Sequence, residues 1–227
     1  SGHGNRKTRG AALEIIEYAL AQSNPYGATK EIVSVQGDLL VVDGLRFDLR
    51  KQRRIFVLGA GKATYPIAKA LEEILGNSIS DGLVVSKYGH QKKLTYVKLY
   101  SAGHPIPDES GFEASQKMLD LAKKTQAGDI VFGCITGGSS ALLPFSVKGV
   151  TLAEKKAVTH LLLTSGANIV EINAVRKHLS RIKGGRLAKA IHQRAHLINL
   201  TVSDVIGDSL DCISDPTVPD TSTFDDA

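Results

Sequence analysis

The stretch Ile55-Phe-Val-Leu-Gly-Ala-Gly-Lys-Ala-Thr-Tyr-Pro-Ile-Ala-Lys-Ala-Leu71 is an apolar run that breaks at two glycines and resumes with helical spacing. The pattern predicts a strand, a tight loop and a helix. Gly59 and Gly61 let the backbone approach a ligand, and the free N–H groups at the start of a helix attract phosphate or carboxylate. Lys62 would add a full positive charge there. The alternative is a plain strand-to-helix turn whose glycines only permit tight packing.

Two phosphate-binding motifs can be compared with this loop, and both lack essential residues. The P-loop pattern requires a glycine where the chain has Phe56 and a hydroxyl residue where it has Ala63. The dinucleotide fingerprint G-x-G-x-x-G loses its third glycine to Thr64. Its acidic residue would be Asp81, which precedes the strand candidate Leu83–Ser86 instead of ending it. The loop therefore matches neither motif.

The composition is that of a globular chain. With 227 residues and 42% hydrophobic content, it can form one large or two small domains, and a disordered chain is excluded. No apolar run approaches the ~20 residues that cross a bilayer, so we predict a cytoplasmic protein with no membrane partner. Cys134 and Cys212 provide neither a disulfide framework nor a zinc site with paired ligands. Residues 1–4 lack an initiator Met and are interpreted as a remnant of processing or expression.

The formal charge is +5, and the basic excess concentrates between Arg176 and Arg194. That segment contains no acidic or aromatic residue; its basic side chains are Arg176, Lys177, Arg181, Lys183, Arg186, Lys189 and Arg194, with His178 and His192. A small-anion pocket and a solvated helix face both fit this pattern. Single-strand nucleic-acid platforms require aromatic residues, so no nucleic-acid partner is predicted.

The first quarter of the chain predicts a small arm before the main sheet. Apolar positions at helical spacing predict a helix at Arg9–Ser23 that packs on a sheet. Strand patterns at Glu31–Val35 and Leu39–Val42 predict a hairpin, and Phe47–Arg54 leads into the strand at 55–58. We expect this arm to be antiparallel.

Strands and helices alternate after the helix that follows Lys62 and ends near Gly76. The predicted strands are Gly82–Ser86, Tyr96–Ser101, Asp129–Ile135 and His196–Val202, and the predicted helices are Glu109–Lys124, Leu152–Ser165 and about Asn168–Ile182. This alternation predicts an α/β fold in three layers, with a mainly parallel, doubly wound, Rossmann-like sheet beside the antiparallel N-terminal arm.

Polar, glycine-rich loops follow four of the predicted strands. Ligands of such sheets bind beyond the carboxyl ends of the strands, so these loops are expected to converge on one edge. They are Gly59–Lys62, Gly103–Asp108, Thr136–Ser140 and Ser203–Asp208. The third loop can cradle an anion with its N–H groups or be a structural turn, and it is not a G-x-S-x-G nucleophile site.

Two further groups of side chains in these loops have alternative roles. Asp204 and Asp208 are four residues apart and could share a Mg²⁺ ion, provide one catalytic carboxylate or cap a helix. His104 lies in a rigid loop between a glycine and a proline, where it could contact a ligand or bond to backbone.

Taken together, five segments resemble the glycerate 2-kinase family, whose members were often labelled hydroxypyruvate reductases. The segments are Gly59–Ala63, Gly103–Asp108, Thr136–Leu143, Ile172–Ala188 and Ser203–Asp208. The resemblance runs from about Arg6 to Ala227. It implies transfer of a phosphoryl group from Mg-ATP to a hydroxyl of D-glycerate, usually the one on carbon 2.

The resemblance implies roles for particular residues. The expected catalytic residues are Lys62, Asp204 and Arg176. The expected substrate- or phosphate-binding residues are Gly59, Gly61, His104, Thr136, Gly137, Gly138, Ser139, Ser140, Lys177 and Lys183. Asp204 and Asp208 are the expected Mg²⁺ ligands, and ATP and Mg are the expected cofactors.

The chain departs from the family pattern at two loops. Ser139 replaces the third glycine of a Ser-Gly-Gly-Gly-Ser loop, which predicts backbone strain if that position needs φ > 0. Asp215 stands in a Ser-Asp-Pro step where the family has Ser-Gly-Pro. Both departures could change how these loops bind a ligand.

Family chains continue into a second α/β domain, with the active site expected between the two. Residues 5–227 are therefore interpreted as the N-terminal domain, which alone should bind weakly and turn over poorly. Two alternatives stay open: an NAD(P)H-dependent hydroxypyruvate reductase, disfavoured by Thr64 and Asp81, and a catalytically inactive ligand-binding fragment. The oligomeric state is also open, a homo-oligomer included.

Overall fold

The computed structural model describes residues 4–51, 54–89, 93–203 and 214–227. Its helices are α1 (Arg6–Gln22), α2 (Pro25–Ile32), α3 (Thr64–Leu75), α4 (Glu109–Lys123), α5 (Ser139–Leu142), α6 (Leu152–Thr164), α7 (Ile169–His178) and α8 (Arg186–Ala190). Its strands are β1 (Val33–Gln36), β2 (Leu39–Val42), β3 (Leu45–Asp48), β4 (Ile55–Ala60), β5 (Ile79–Lys87), β6 (Lys98–Ala102), β7 (Ile130–Ile135) and β8 (His196–Asn199).

The main sheet has five parallel strands in the order β6-β5-β4-β7-β8. The chain runs outward from β4 to β6 and then returns to the other side of β4 for β7 and β8. This reversal is a topological switch point, where loops leaving two adjacent strands diverge and open a crevice. Ala60 pairs with Ile135, so the loops after β4 and β7 begin side by side. The predicted doubly wound sheet is confirmed.

Both faces of the central strands are covered, which explains their continuous apolar sequences. Every residue of β4 and β7 is buried. Phe56 and Leu58 pack in the core on the side of α4, whereas Ile55 and Val57 pack on the side of α3. The three-layer prediction is therefore confirmed as well.

The predicted antiparallel arm is also confirmed. Strands β1, β2 and β3 form a separate antiparallel sheet, in which Val33 pairs with Val42 and Leu40 pairs with Phe47. The alternating side chains of β2 place Leu40 and Val42 in the same core cluster as α3. The arm thus extends the hydrophobic core on one face of the main sheet.

Two predicted helices differ from the structure. The helix predicted at Arg9–Ser23 forms, but the expectation that it packs on a sheet is wrong, because no residue of α1 is buried and Leu13 is 59% exposed. Apolar spacing predicts a helix, but it does not identify the partner that covers the apolar face. The helix predicted to reach Ile182 ends at His178, because the Ser180 hydroxyl accepts the N–H groups of Ile182 and Lys183 and forms a turn.

Candidate active site

Two loops from neighbouring strands meet at the switch point. The backbone N–H of Lys62, after β4, donates to the carbonyl oxygen of Gly137, after β7, at 2.9 Å. The N–H of Ala63 donates to the buried side-chain hydroxyl of Thr136 at 3.0 Å. The two loops are therefore fastened to each other by hydrogen bonds in both backbone and side chain.

Gly59 and Gly61 permit this close approach. A Cβ atom on Gly59 would lie 2.4 Å from the carbonyl oxygen of Cys134, and one on Gly61 would lie 2.0 Å from the hydroxyl oxygen of Thr136. Gly61 also has a φ of 141°, which side chains rarely adopt. Both glycines therefore serve the packing of the β4 loop against β7.

The side chains of Lys62 and His104 both lie against Gly138. A Cβ atom on Gly138 would lie 2.9 Å from Nε2 of His104 and 3.2 Å from Cγ of Lys62. Gly138 has the left-handed φ of 92°, whereas Ser139 does not; among the described residues, Asp43 is the only non-glycine with a positive φ. The strain that the third-glycine replacement could cause is therefore not present, since the left-handed position is Gly138.

The loop after β7 presents backbone donors. The N–H of Ser139 donates to the carbonyl oxygen of Thr136 at 3.2 Å. The N–H groups of Gly137, Gly138 and Ser140 donate to no acceptor within the described part of the chain. Successive N–H groups of this kind form a nest that binds an anion.

A cavity of about 320 Å³ opens beside this loop, and we call it the switch-point cavity. Its size falls in the range of small-molecule sites. Its polar wall comes from five segments of the chain: His104, Thr136, Ser139, Ser140, Asn173, Arg176, Thr201, Ser203, Ser214 and Asp215. Arg176 reaches it from the last turn of α7, a helix whose start is set by a capping box between Asn168 and Glu171.

The environment of His104 favours the neutral imidazole. Burial lowers the pKa of His104 below its ordinary value, and the positive charges of Lys62 and Lys87 lower it further. A neutral His104 can offer one donor and one acceptor at the rim of the cavity.

We expect the pKa of His104, measured by NMR titration of its ring protons, to lie below 6.5. Lys62→Met should raise it toward that value because a nearby positive charge is removed, whereas Lys69→Met should leave it unchanged. Because the unfolded chain binds this proton more readily, the contribution of His104 to stability should fall as the pH drops below about 6.5. An identical His104 pKa in Lys62→Met and the unaltered chain would contradict the electrostatic effect of Lys62 on His104.

The sequence comparisons identify the family. The family described as "Domain of unknown function (DUF4147)" matches residues 11–227. The chain belongs to the DUF4147 family. A glycerate 2-kinase of Pyrococcus horikoshii is 42% identical to this DUF4147 chain over 220 residues, which cover 96% of the chain and 49% of the relative. An Agrobacterium vitis protein with the provisional name hydroxypyruvate reductase is 43% identical over 175 residues, covering 77% of the chain and 45% of that protein.

A solved structure shows the same fold. The crystal structure of a glycerate kinase from Thermotoga maritima superposes with a TM-score of 0.82 at 37% identity, covering 98% of the DUF4147 chain and 50% of the kinase chain. The resemblance to the glycerate 2-kinase family is confirmed. The DUF4147 chain spans about half the length of the curated relatives it matches. None of its described helices is long and apolar enough to cross a membrane.

The other expected site residues of the DUF4147 chain lie in different surroundings. Lys177 is buried and forms an ion pair with Asp220 at 2.7 Å. Lys183 is also buried, and its Nζ donates to the carbonyl oxygen of Leu143 at 2.5 Å. Neither lysine lines the switch-point cavity. Asp204 and Asp208 lie outside the described residues, and residues 4–51, 54–89, 93–203 and 214–227 contain no cluster of three metal-binding side chains.

Five polar residues of the cavity wall were not predicted as site residues: Asn173, Thr201, Ser203, Ser214 and Asp215. Asn173 lies one helical turn before Arg176, on the same face of α7, and this spacing could have indicated it. Asp215 is 1% exposed, and its Oδ1 accepts the N–H and the hydroxyl of Thr217 at 2.6 Å each. Its Oδ2 has no hydrogen-bond partner in the described chain, and burial raises the pKa of this carboxyl. The departure from the family glycine is thus a carboxyl group in the cavity wall.

Proposed function

We propose that the chain supplies one half of an ATP-dependent glycerate 2-kinase, which phosphorylates D-glycerate at carbon 2 in the cytoplasm. The observation that carries the proposal is the meeting of Lys62, His104 and the unpaired N–H groups of Gly137 and Gly138 at the switch point. Relatives named glycerate 2-kinase support it. The acceptor would enter the switch-point cavity.

The residues fit the requirements of phosphoryl transfer, which are positioning and neutralisation of charge. Mg-ATP supplies the transferable group and a divalent charge. Lys62 stabilises the negative charge of the phosphoryl oxygens, and the N–H groups of the β7 loop hold an anionic group beside it. Arg176 binds a carboxylate or phosphate from the α7 side of the cavity.

The carboxylate of Asp215, which lines the same cavity, is one candidate ligand of the Mg²⁺ ion. The unpaired Oδ2 of Asp215 is a donor of the class that Mg²⁺ takes. Asp204 and Asp208 precede it in the chain and stay the proposed ligands or the acceptor of the hydroxyl proton. Bound Mg²⁺ would also favour the ionised form of Asp215, which burial alone disfavours.

A second domain is part of this proposal. The switch-point cavity lies at one edge of the sheet, beyond the carboxyl ends of the strands, whereas phosphoryl transfer needs charges from several sides and exclusion of water. We propose that residues 5–227 form the N-terminal domain and that a second α/β domain closes the site. By itself the 227-residue chain should turn over far more slowly than the median enzyme's ~10 s⁻¹.

The name of the Agrobacterium vitis relative favours a second candidate, a hydroxypyruvate reductase. In a dinucleotide site, the third glycine of the fingerprint allows close packing of helix and strand. Thr64 fills that position here, and its buried hydroxyl donates to the carbonyl oxygen of Cys134 at 2.8 Å. This packing argues against a nicotinamide cofactor at the β4 loop.

Calorimetric titration of the chain with Mg-ATP and with NADH, each with and without D-glycerate, tests the two candidates. A kinase half-site predicts saturable heat from Mg-ATP that is lost in Lys62→Met and kept in Lys69→Met. Saturable binding of NADH without binding of Mg-ATP would contradict the kinase and favour the reductase.

A further inference from the structure

Three basic side chains lie together beside the loop that follows β7. Lys155 of α6 is 5% exposed, Lys183 is 1% exposed, and Arg176 of α7 is half-buried. All three line one narrow cleft. Because buried charges are normally paired, a cluster of like charges requires a physical explanation.

Backbone carbonyl groups hold the two lysines without neutralising them. Nζ of Lys183 donates to the carbonyl oxygen of Leu143 at 2.5 Å, and Nζ of Lys155 donates to that of Leu179 at 2.9 Å and to that of Phe145 at 3.4 Å. An ammonium group has three N–H donors, so each lysine keeps at least one for another acceptor.

The cluster has no counter-charge in the described ranges, since no carboxylate there pairs with any of the three side chains. Burial lowers the pKa of Lys183, and the charges of Lys155 and Arg176 lower it further. Burial, followed by the charge of Arg176, lowers the pKa of Lys155 to about 8. Buried like charges without a partner oppose folding, so the contacts within the described ranges do not explain this arrangement by stability.

The cleft adjoins the switch-point cavity. Pro105, Ser140, Ala141 and Arg176 line both spaces. The cleft has a volume of about 20 Å³, which is room for one water-sized group. A single oxygen of a carboxylate or phosphoryl group matches that size, while the rest of its molecule would lie in the larger cavity.

We propose that Lys155, Arg176 and Lys183 form an oxyanion subsite in the narrow cleft beside the switch-point cavity, separate from Lys62. The ligand class is a small molecule with a carboxylate or phosphoryl group. Assignment of that group to the carboxylate of glycerate rests on the proposed function, whereas the subsite does not. A hydroxy acid held here by its carboxylate would direct its hydroxyl groups toward the β7 loop. Lys155 would thereby discriminate acids from neutral polyols.

Calorimetric titration of the full 227-residue chain with D-glycerate, glycerol and inorganic phosphate tests the subsite. We expect D-glycerate to bind and glycerol, which has the hydroxyl groups but no carboxylate, not to bind. Lys155→Met keeps the length of the side chain and removes its charge, so it should raise the Kd for D-glycerate at least about tenfold, equivalent to about 1.4 kcal/mol. The matched control Lys148→Met removes an exposed lysine from the preceding loop and should leave the Kd unchanged.

Competition between inorganic phosphate and D-glycerate shows whether the subsite binds a phosphoryl group or a carboxylate. If phosphate displaces D-glycerate and Lys155→Met weakens the binding of phosphate, the subsite accepts phosphoryl groups as well as carboxylates. If phosphate binds without displacing D-glycerate, it binds elsewhere, and the subsite is assigned to carboxylates. Lys183→Met provides a second variant if Lys155→Met does not fold, as judged by circular dichroism. Unchanged affinity for both anions in the folded variant, or no saturable binding of either anion to the unaltered chain, would overturn the proposal.

The subsite and the kinase can fail independently. Binding of D-glycerate that depends on Lys155, without binding of Mg-ATP, supports the subsite and removes the kinase. Binding of Mg-ATP together with D-glycerate affinity that is insensitive to Lys155 and Lys183 removes the subsite and leaves the kinase.

Discussion

Lys62→Met is expected to lower kcat/KM for phosphoryl transfer to D-glycerate by about 100-fold or more, in an active form that contains both halves found in the relatives. The aliphatic part of Lys62 lies against Gly138 beside His104, so its position is set by packing. Removal of one preorganised group that stabilises charge in a transition state lowers kcat by about 10²–10³-fold. Methionine keeps the packing and removes the charge, and steady-state kinetics measure the difference.

Lys69→Met is the matched control for this prediction. Lys69 is exposed on α3, the helix that follows Lys62, and pairs with Glu73 at 2.8 Å. Its substitution therefore removes a lysine charge without changing the loop after β4. Its kcat/KM should stay within about twofold of the unaltered enzyme. A decrease of less than about tenfold, or about 1.4 kcal/mol, in Lys62→Met would make Lys62 a packing residue. A fall in kcat at constant KM would locate its effect in the transition state.

The central strands and the doubly wound form of the sheet follow from local sequence to a large extent. Strands β4 and β7 are continuous apolar runs because helices cover both of their faces, and such runs are readily recognised. The glycine-rich loops after them have to meet once the sheet is doubly wound. The meeting of Lys62 with the Thr136–Ser140 loop could therefore be predicted without coordinates.

The direction of the basic side chains could not be predicted in this way. All charged residues of the segment 176–194 are basic, yet Lys177 pairs with Asp220 whereas Arg176 lines the cavity. Neighbouring residues on a helix point about 100° apart, and the elements that lie on each side are distant in the chain. The burial of Lys155 is easier to predict, because Lys155 lies one turn after the buried Leu152 on the inward face of α6.

The roles of Ser139 and Asp215 also required tertiary structure. A glycine-rich loop can place its left-handed residue at any of several positions, and here Gly138 takes it. Asp215 would be interpreted as a turn residue from its Asx pattern with Thr217, which the hydrogen bonds bear out. Asp215 lines the cavity only because residues 214–217 are buried beside it.

Gly61→Ala should lower the free energy of unfolding by about 3 kcal/mol, the sum of a left-handed backbone penalty and overpacking. The added Cβ atom would lie 2.0 Å from the Thr136 hydroxyl and 2.5 Å from the Thr136 carbonyl oxygen, and backbone cannot move aside as a flexible side chain can. The Thr136 hydroxyl would also lose its bond from the Ala63 N–H. Urea unfolding followed by circular dichroism measures the change.

Gly89→Ala separates the backbone penalty from the effect of overpacking. Gly89 has a φ of 98°, and a Cβ atom added to it would have no described neighbour within 4 Å, so only the backbone penalty of about 1 kcal/mol applies. If Gly61→Ala destabilised the chain no more than Gly89→Ala, the loops after β4 and β7 would not be locked together. The excess of Gly61→Ala over Gly89→Ala measures how rigidly the two loops are held, and the position of Lys62 over Gly138 depends on that rigidity.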